Sequence, residues 1–283
     1  NCNAKILAIT GSNGKTSLKN TISFLLNKYD KTHCSPRSFN NHYGVPVSLS
    51  NLDVDDKYGI FEVGMSKAGE INQLSKIIKP DLALITNIGE AHIENFKNIR
   101  EIAKAKSEIL NNIRKYGKVI LNRDDRFFSF LNKKAKLKKI KVITFGKSKK
   151  SDVHLIKTKY VGEHKIVVIS AKDEIIKLSI NNINIYNVLS SIAILKEFNL
   201  DLNKVTQDFK SIQLSEGRGK VHRIRRYKKK FTLIDESYNA NPFSVKNALN
   251  SFAEIKKDKF KKYLLLGDML ELGEKSVIYH EEL

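Results

Sequence analysis

Thr10-Gly11-Ser12-Asn13-Gly14-Lys15-Thr16 lies between a short apolar run and a segment whose apolar residues recur at helical spacing. The pattern predicts a strand, a loop and a helix in that order. Glycines allow such a loop to wrap around phosphates, and the helix N-terminus offers free N–H donors. Lys15 is placed to meet the outer phosphates, and Thr16 to reach Mg²⁺. We therefore predict a nucleotide site; an ordinary glycine turn that caps a helix is the alternative.

The alternation of strands and helices continues on both sides of the loop. Apolar runs predict strands at residues 5–10, 58–63, 82–86 and 119–122, and helices at residues 99–110 and 187–198. This order favours an α/β fold with a mostly parallel sheet. Shorter β-rich pieces between residues 152 and 180 predict a small antiparallel flank.

A glycine-containing stretch, residues 213–220, is the best candidate for a linker, because glycines permit backbone angles that other residues resist. We place a domain boundary near Ser215, which divides the chain into residues 1–214 and 215–283. After the boundary we predict a strand at residues 231–235, a helix at 244–255 and a strand at 263–266. This order is that of an α/β unit that begins but is not completed.

The bulk composition excludes several classes of protein. Hydrophobic residues make up 41% of the 283 residues, enough for a packed core. No apolar run of about 18 residues and no signal peptide are seen, so we expect no membrane insertion. Cys2 and Cys34 are too few for a disulfide scaffold, which favours a reducing compartment, the cytoplasm. A monomer is expected.

The net charge of +21 raises the alternative of a nucleic-acid-binding protein. The basic residues are spread along the chain, however, and the local concentrations at residues 133–141 and 223–230 lack interleaved aromatic residues. We interpret the charge as a solvated lysine-rich surface and expect no nucleic-acid partner. A nucleotide substrate would also be attracted by this field.

The loop is shorter than the general Walker pattern, with two residues rather than four between its glycines, and this shortened form resembles the ATP loop of the Mur ligases and their folylpolyglutamate synthetase relatives. Further segments match that family in order, most closely its branch that adds D-alanyl-D-alanine. They are residues 38–46 (SFNNHYGVP), 61–65 (FEVGM), 69–71 (GEI), 86–92 (TNIGEAH), 103–108 (AKAKSE), 235–242 (DESYNANP) and 267–273 (GDMLELG). One departure is residues 181–184, NNIN, where the family has Gly-x-His-Asn.

The resemblance implies a P-loop NTPase-like central domain, residues 1–214, followed by the start of a Rossmann-like domain. It implies ATP and two Mg²⁺ ions, the first held by Thr16 and Glu62. The second would be held by His92 and by Lys106 as a carbamate, since a free ammonium cannot bind a cation. Lys104 competes with Lys106 for this role. Lys15, His92 and Lys106 would be catalytic.

The resemblance also assigns contacts to ATP and, more weakly, to the substrate. Asn187 would meet the adenine, Asp235 the ribose and Arg218 a phosphate. Asn40 and Asn41 would lie near the substrate, with a plain turn as the alternative. The ATP-binding residues expected in this way are Gly11, Ser12, Asn13, Gly14, Lys15, Thr16, Ser17, Asn187, Arg218 and Asp235.

The activity implied is formation of an amide bond: the carboxylate of a UDP-N-acetylmuramoyl tripeptide takes the γ-phosphate, and D-alanyl-D-alanine then displaces it. Another ligase of the superfamily, one that adds the third peptide residue or a folylpolyglutamate synthetase, is the nearest alternative. A basic, nucleotide-regulated nucleic-acid-binding protein is an alternative from another class. The family's N-terminal domain and most of its C-terminal domain are not matched, so we expect this chain alone to bind Mg-ATP weakly and to ligate little.

Overall fold

The computed structural model describes residues 3–161, 164–172, 174–181, 183–226, 228–253, 255 and 261–283. Cys2 and Asn182 lie outside the described residues. Most of the described chain surrounds one mixed sheet, with helices on both faces.

Nine strands of the described chain form this sheet, in the order β2-β3-β1-β4-β5-β6-β7-β8-β9. Strands β1 to β6 pair in parallel, β7 joins β6 in parallel, and β8 and β9 extend the edge as an antiparallel flank. The strands are β1 Lys5–Thr10, β2 Thr32–Cys34, β3 Tyr58–Glu62, β4 Leu82–Ile85, β5 Lys118–Asn122, β6 Lys141–Gly146, β7 Val153–Val161, β8 His164–Ala171 and β9 Glu174–Ile180. The helices are α1 Lys15–Leu26, α2 Gly44–Ser50, α3 Glu70–Ile78, α4 Ile99–Lys106, α5 Phe128–Leu137 and α6 Ile185–Glu197.

The central strands are mostly apolar because helices cover both faces of the sheet. In β1, Leu7 and Ile9 pack into the cluster that contains α1 and α6. Ile6 and Ala8 point the other way, into the cluster beneath α3, α4 and α5. Successive side chains of a strand alternate between faces, so the loop after β1 is held by two cores.

The predicted strands and helices of the first 200 residues are confirmed to within a few residues, as is the antiparallel flank. The helix predicted at 99–110 is shorter: α4 ends at Lys106 and continues as a 3₁₀ turn, Ser107–Asn111. The sequence pattern alone did not reveal β2, β6, α2, α3 and α5.

After residue 215 the chain forms a separate antiparallel hairpin, β10 Lys220–Arg226 with β11 Lys229–Asp235. The helices α7 Pro242–Ala253 and α8 Ser276–Glu281 follow, around a small cluster of Val245, Met269 and Leu272. The predicted linker thus leads into a strand that the sequence analysis missed. The strand predicted at residues 263–266 is wrong: these residues have no regular structure, and no described strand pairs with them. An extended segment becomes a strand only when a neighbour takes its hydrogen bonds.

In the part of the chain that the structure describes, no helix combines the length and the apolar character needed to cross a bilayer.

We predict that Gly11→Ala destabilises the fold far more than Gly69→Ala. Both glycines have positive φ, 145° and 91°. A Cβ on Gly11 would lie 1.8 Å from Thr86 Oγ1, whereas one on Gly69 would meet nothing within 4 Å. Left-handed strain alone costs ~1–2 kcal/mol. We expect Gly11→Ala to lose at least about 2 kcal/mol more than the control from the free energy of unfolding in urea. Equal losses would contradict the packing described.

Candidate active site

The glycine loop between β1 and α1 is held by the segment that follows β4. Ser12 N–H donates to Asn87 O at 3.0 Å, and Asn13 N–H donates to Asn87 Oδ1 at 2.9 Å. Thr86 Oγ1 donates to Asn13 O at 2.6 Å. No acidic side chain lies in the first turn of α1, which contains Ser17. The positive end of the helix dipole at this N-terminus is therefore not neutralised by a neighbouring carboxylate and attracts an anion.

Lys15 folds back over this loop. Its Nζ donates to Gly11 O at 2.9 Å. Burial lowers the pKa of the Lys15 ammonium; Glu62 opposes this effect, and the nearby Arg218 guanidinium adds to it. The three charged groups therefore lie within electrostatic reach of one another.

Glu62, the last residue of β3, is the buried anion of the site. It is 1% exposed. Its Oε2 accepts a hydrogen bond from Thr16 Oγ1 at 2.8 Å, and its Oε1 accepts one from Asn40 Nδ2 at 2.7 Å. Carboxylate and hydroxyl oxygens are the ligands that Mg²⁺ prefers. The pair Thr16 and Glu62 therefore has the donor set of a magnesium site beside the phosphate loop.

Lys106, at the end of α4, is a buried lysine without a hydrogen-bonding partner among the described residues. It is 2% exposed, whereas Lys104, two residues earlier, faces solvent. Burial lowers the pKa of Lys106 well below its ordinary value, and the charge of Lys15 lowers it further. Burial penalises the ammonium form of a lysine relative to the neutral amine, and the neutral amine is a nucleophile. Lys104 and Lys106, the two candidates for the carbamate, therefore differ in burial: Lys106 is buried and Lys104 is exposed.

His92 lies in the left-handed region, with φ 57°, after the loop that follows β4. Its Nδ1 is 2.5 Å from Glu271 Oε2, although the contact lacks hydrogen-bond geometry. Burial lowers the pKa of His92; the Glu271 carboxylate opposes this effect, and Lys106 and Lys15 add to it. Glu271 belongs to the GDMLELG motif at residues 267–273, but nothing in that motif indicates that Glu271 faces His92.

Asn40 and Asn41 have different surroundings. Asn40 faces Glu62, as described, and its backbone O accepts from Gly64 N–H at 2.8 Å. Asn41 Oδ1 accepts from Gly44 N–H at 2.9 Å and so supports the start of α2. Asn41 therefore supports the turn before α2 and Asn40 contacts the carboxylate, while a role of either residue near the substrate stays a prediction.

Of the three residues expected around ATP, Asn187 lies beside the loop on α6, Arg218 lies near Lys15, and Asp235 ends the strand β11. Asn187 is 8% exposed, and its Oδ1 lies 3.5 Å from where a Cβ on Gly14 would stand. Arg218 stacks on the ring of Tyr238 at 4.0 Å. Asp235 lies farther along the hairpin, where its two oxygens accept from Ser237 and Gly217.

Those bonds are 2.6 Å from Ser237 Oγ to Asp235 Oδ1 and 2.9 Å from Gly217 N to Oδ2, and they lower the pKa of the Asp235 carboxyl. Asp235 therefore holds the turn that carries Arg218. The departure at residues 181–184 does not disturb α6, because Asn184 Oδ1 accepts from Tyr186 N–H at 2.8 Å and caps the helix.

The profile of the Mur ligase middle domain matches residues 9–195. The chain belongs to the Mur ligase family. It is 36% identical to UDP-N-acetylmuramoyl-tripeptide--D-alanyl-D-alanine ligase of Rickettsia prowazekii over 290 aligned residues, which cover 100% of this chain and 63% of that protein.

Two solved structures extend the similarity to the fold of the Mur ligase family. MurF from Acinetobacter baumannii superposes with a TM-score of 0.90 at 27% identity, over 100% of this chain and 60% of that one. MurF ligase from Thermotoga maritima in complex with ADP gives 0.83 at 26% identity, over 99% and 64%. The chain thus spans somewhat less than two thirds of the length of these relatives.

We predict that Lys106→Met stabilises the protein and changes how its stability depends on pH. Between the lowered pKa and 10.5, the folded state binds fewer protons at Lys106 than the unfolded chain does. The wild type therefore gains free energy of unfolding as pH rises through that window. In CO₂-free buffer near neutral pH, the free energy of unfolding of Lys106→Met should exceed that of the wild type by ~1 kcal/mol or more. The difference should shrink towards pH 10.5.

Lys104→Met is the matched control, because Lys104 is exposed on the same helix turn. Urea unfolding between neutral pH and pH 10 measures both variants. The free energy of unfolding of each variant is compared with that of the wild type. If this difference for Lys106→Met stays constant with pH, or equals the difference for Lys104→Met, Lys106 is solvated.

Proposed function

We propose that the chain carries the ATP-binding core of a ligase that adds D-alanyl-D-alanine to UDP-N-acetylmuramoyl tripeptide in the cytoplasm. The observation that carries the proposal is the arrangement around Lys15: Glu62 acts on the pKa of Lys15, and the charge of Lys15 acts on the pKa values of His92 and Lys106. The similarity to ligases of that name supports the choice of substrates.

The proposed reaction needs positive charge at this point. A carboxylate is a poor electrophile, and its attack on the γ-phosphate brings two anions together. Transfer of the phosphoryl group to the tripeptide carboxylate releases ADP and forms an acyl phosphate. The amine of D-alanyl-D-alanine attacks the acyl carbon, loses a proton and expels phosphate. Lys15 and Arg218 offset the repulsion, and the free N–H groups in the first turn of α1 are directed at the phosphates.

Thr16 and Glu62 supply the oxygen ligands for one Mg²⁺ ion, which neutralises phosphate charge when bound. A second ion fits beside His92 only if Lys106 is not an ammonium. Addition of CO₂ to its neutral amine, with loss of a proton, converts it to a carbamate with two oxygen ligands. The burial and lowered pKa of Lys106 support this modification.

The same proposal divides the chain near Ser215. The hairpin of β10 and β11 is separate from the main sheet, and Val245, Met269 and Leu272 form their own cluster. Residues 1–214 then bind the triphosphate, and residues 215–283 bring Arg218 to it. Asn187 is proposed to face the adenine from α6, and Asp235 to hold the ribose end.

We predict that the full-length gene product releases phosphate from ATP only when UDP-N-acetylmuramoyl tripeptide and D-alanyl-D-alanine are both present. Glu62→Gln should lower this rate by about 100-fold or more, since it removes a charge that holds the metal. Glu174→Gln, on the distant flank strand β9, should leave the rate unchanged. Phosphate release that depends instead on a dipeptide precursor with the third amino acid, or on a folate, would assign another activity of the superfamily.

We predict a carbamate on Lys106. Protein equilibrated with ¹³C-bicarbonate should show a carbamate carbon signal by NMR, because a deprotonated amine reacts with CO₂. The signal should be absent in Lys106→Met and retained in Lys104→Met. A signal lost in the Lys104 variant, or absent from the wild type in the presence of Mg²⁺ and ATP, would refute the assignment.

A further inference from the structure

Lys19 is a buried cation that the proposed reaction does not use. It lies one helical turn after Lys15 on α1 and is 1% exposed. Its Nζ donates to the backbone O of Ser35 at 2.5 Å and to that of Arg37. No carboxylate of the described residues forms an ion pair with it. Burying an ammonium costs several kcal/mol, roughly, unless its donors are satisfied, so these two carbonyls define its position.

The carbonyls belong to residues 35–40, which we call the clamp loop. Both ends of the clamp loop contact Glu62. Ser35 Oγ accepts from the Glu62 backbone N–H at 3.1 Å, and Asn40 Nδ2 donates to the Glu62 carboxylate at 2.7 Å. Between these ends Arg37 has φ 46°, a left-handed conformation that costs an ordinary residue ~1–2 kcal/mol. The loop therefore needs an external contact to keep this path.

We propose that Lys19 is a positioning residue for Glu62. By holding the carbonyls of Ser35 and Arg37, it ties the clamp loop to α1, the same helix that presents Thr16 to the other carboxylate oxygen. Without Lys19 the contact from Asn40 is released, and the carboxylate keeps only its bond to Thr16. Groups that orient a metal ligand typically change metal affinity by about 10- to 100-fold when lost. The inference rests on the proposed Mg-ATP site.

The test is the Mg²⁺ concentration needed for half-maximal binding of a fluorescent ATP analogue to the purified protein. Lys19→Met should raise that concentration by about 10-fold or more. Lys28→Met, an exposed lysine just beyond the same helix, should leave it unchanged. Circular dichroism and thermal unfolding report whether each variant is folded. If Lys19→Met does not fold, Lys19→Gln, which keeps one donor, should show a smaller rise in the same direction.

A double-mutant cycle separates positioning from a general loss of stability. Asn40→Ala should raise the Mg²⁺ requirement in a similar way, and combining it with Lys19→Met should add little, because both act through one carboxylate. The proposal would be overturned if the increases in Mg²⁺ requirement of the two single variants multiplied in the double variant. It would also be overturned by a folded Lys19 variant with the wild-type Mg²⁺ requirement.

Hydrogen exchange in the metal-free protein gives an independent measurement. The backbone amides of Glu62 and Gly64, which donate to Ser35 and Asn40, should exchange faster in Lys19→Met and at the wild-type rate in Lys28→Met. Unchanged exchange would refute the role of Lys19 even if the protein bound no nucleotide. If the wild type shows no Mg²⁺-dependent ATP binding, while Lys19→Met shows the faster exchange expected, only the proposed function is refuted.

Discussion

Positive charge is concentrated and desolvated where strands β1, β3 and β4 end. Lys15 and Lys106 both have lowered pKa values because they are buried, and Lys15 contributes to the shift of Lys106. The buried anion opposed to them is Glu62. Such an arrangement is costly in an empty protein, since the charges lack full compensation. A ligand rich in negative charge relieves the cost, so stability and ligand binding are linked at this site.

The second constraint is space. Gly11 passes so close to Thr86 that no side chain fits between them, and Gly64 also lies close to Asn40, where a Cβ would be 2.8 Å from the side-chain amide. The first contact joins the loop after β1 to the loop after β4, and the second joins the loop after β3 to the loop after β2, all at the carboxyl ends of parallel strands. In open α/β sheets this edge is where ligands bind, because loops and helix N-termini meet there. The glycines therefore fix distances between groups that belong to four different loops.

The sequence predicted the central strands well because they are apolar on both faces and separated by periodic helices. It predicted Glu62 and Lys106 as site residues only through the family resemblance, since a lone charged residue carries no sign of burial. Lys19 and Glu271 could not be predicted, because their roles depend on backbone carbonyls and on a partner about 180 residues away. The strand predicted at residues 263–266 is wrong because an apolar run indicates a strand, but pairing with a neighbouring strand decides whether one forms.

The residues after 215 reach the site at three points. Arg218 lies within electrostatic reach of Lys15, Glu271 contacts His92, and Tyr238 Oη is 2.8 Å from Ser38 Oγ in the clamp loop. Each contact meets a different loop of the residues before 215. Loss of these three contacts would remove the carboxylate beside His92 and the guanidinium near Lys15 together. It would also free the clamp loop at its middle, leaving Lys19 and Asn40 to hold its position against Glu62. The geometry of the Glu62 carboxylate is therefore set by residues before 215, while residues after 215 add to the surrounding charge.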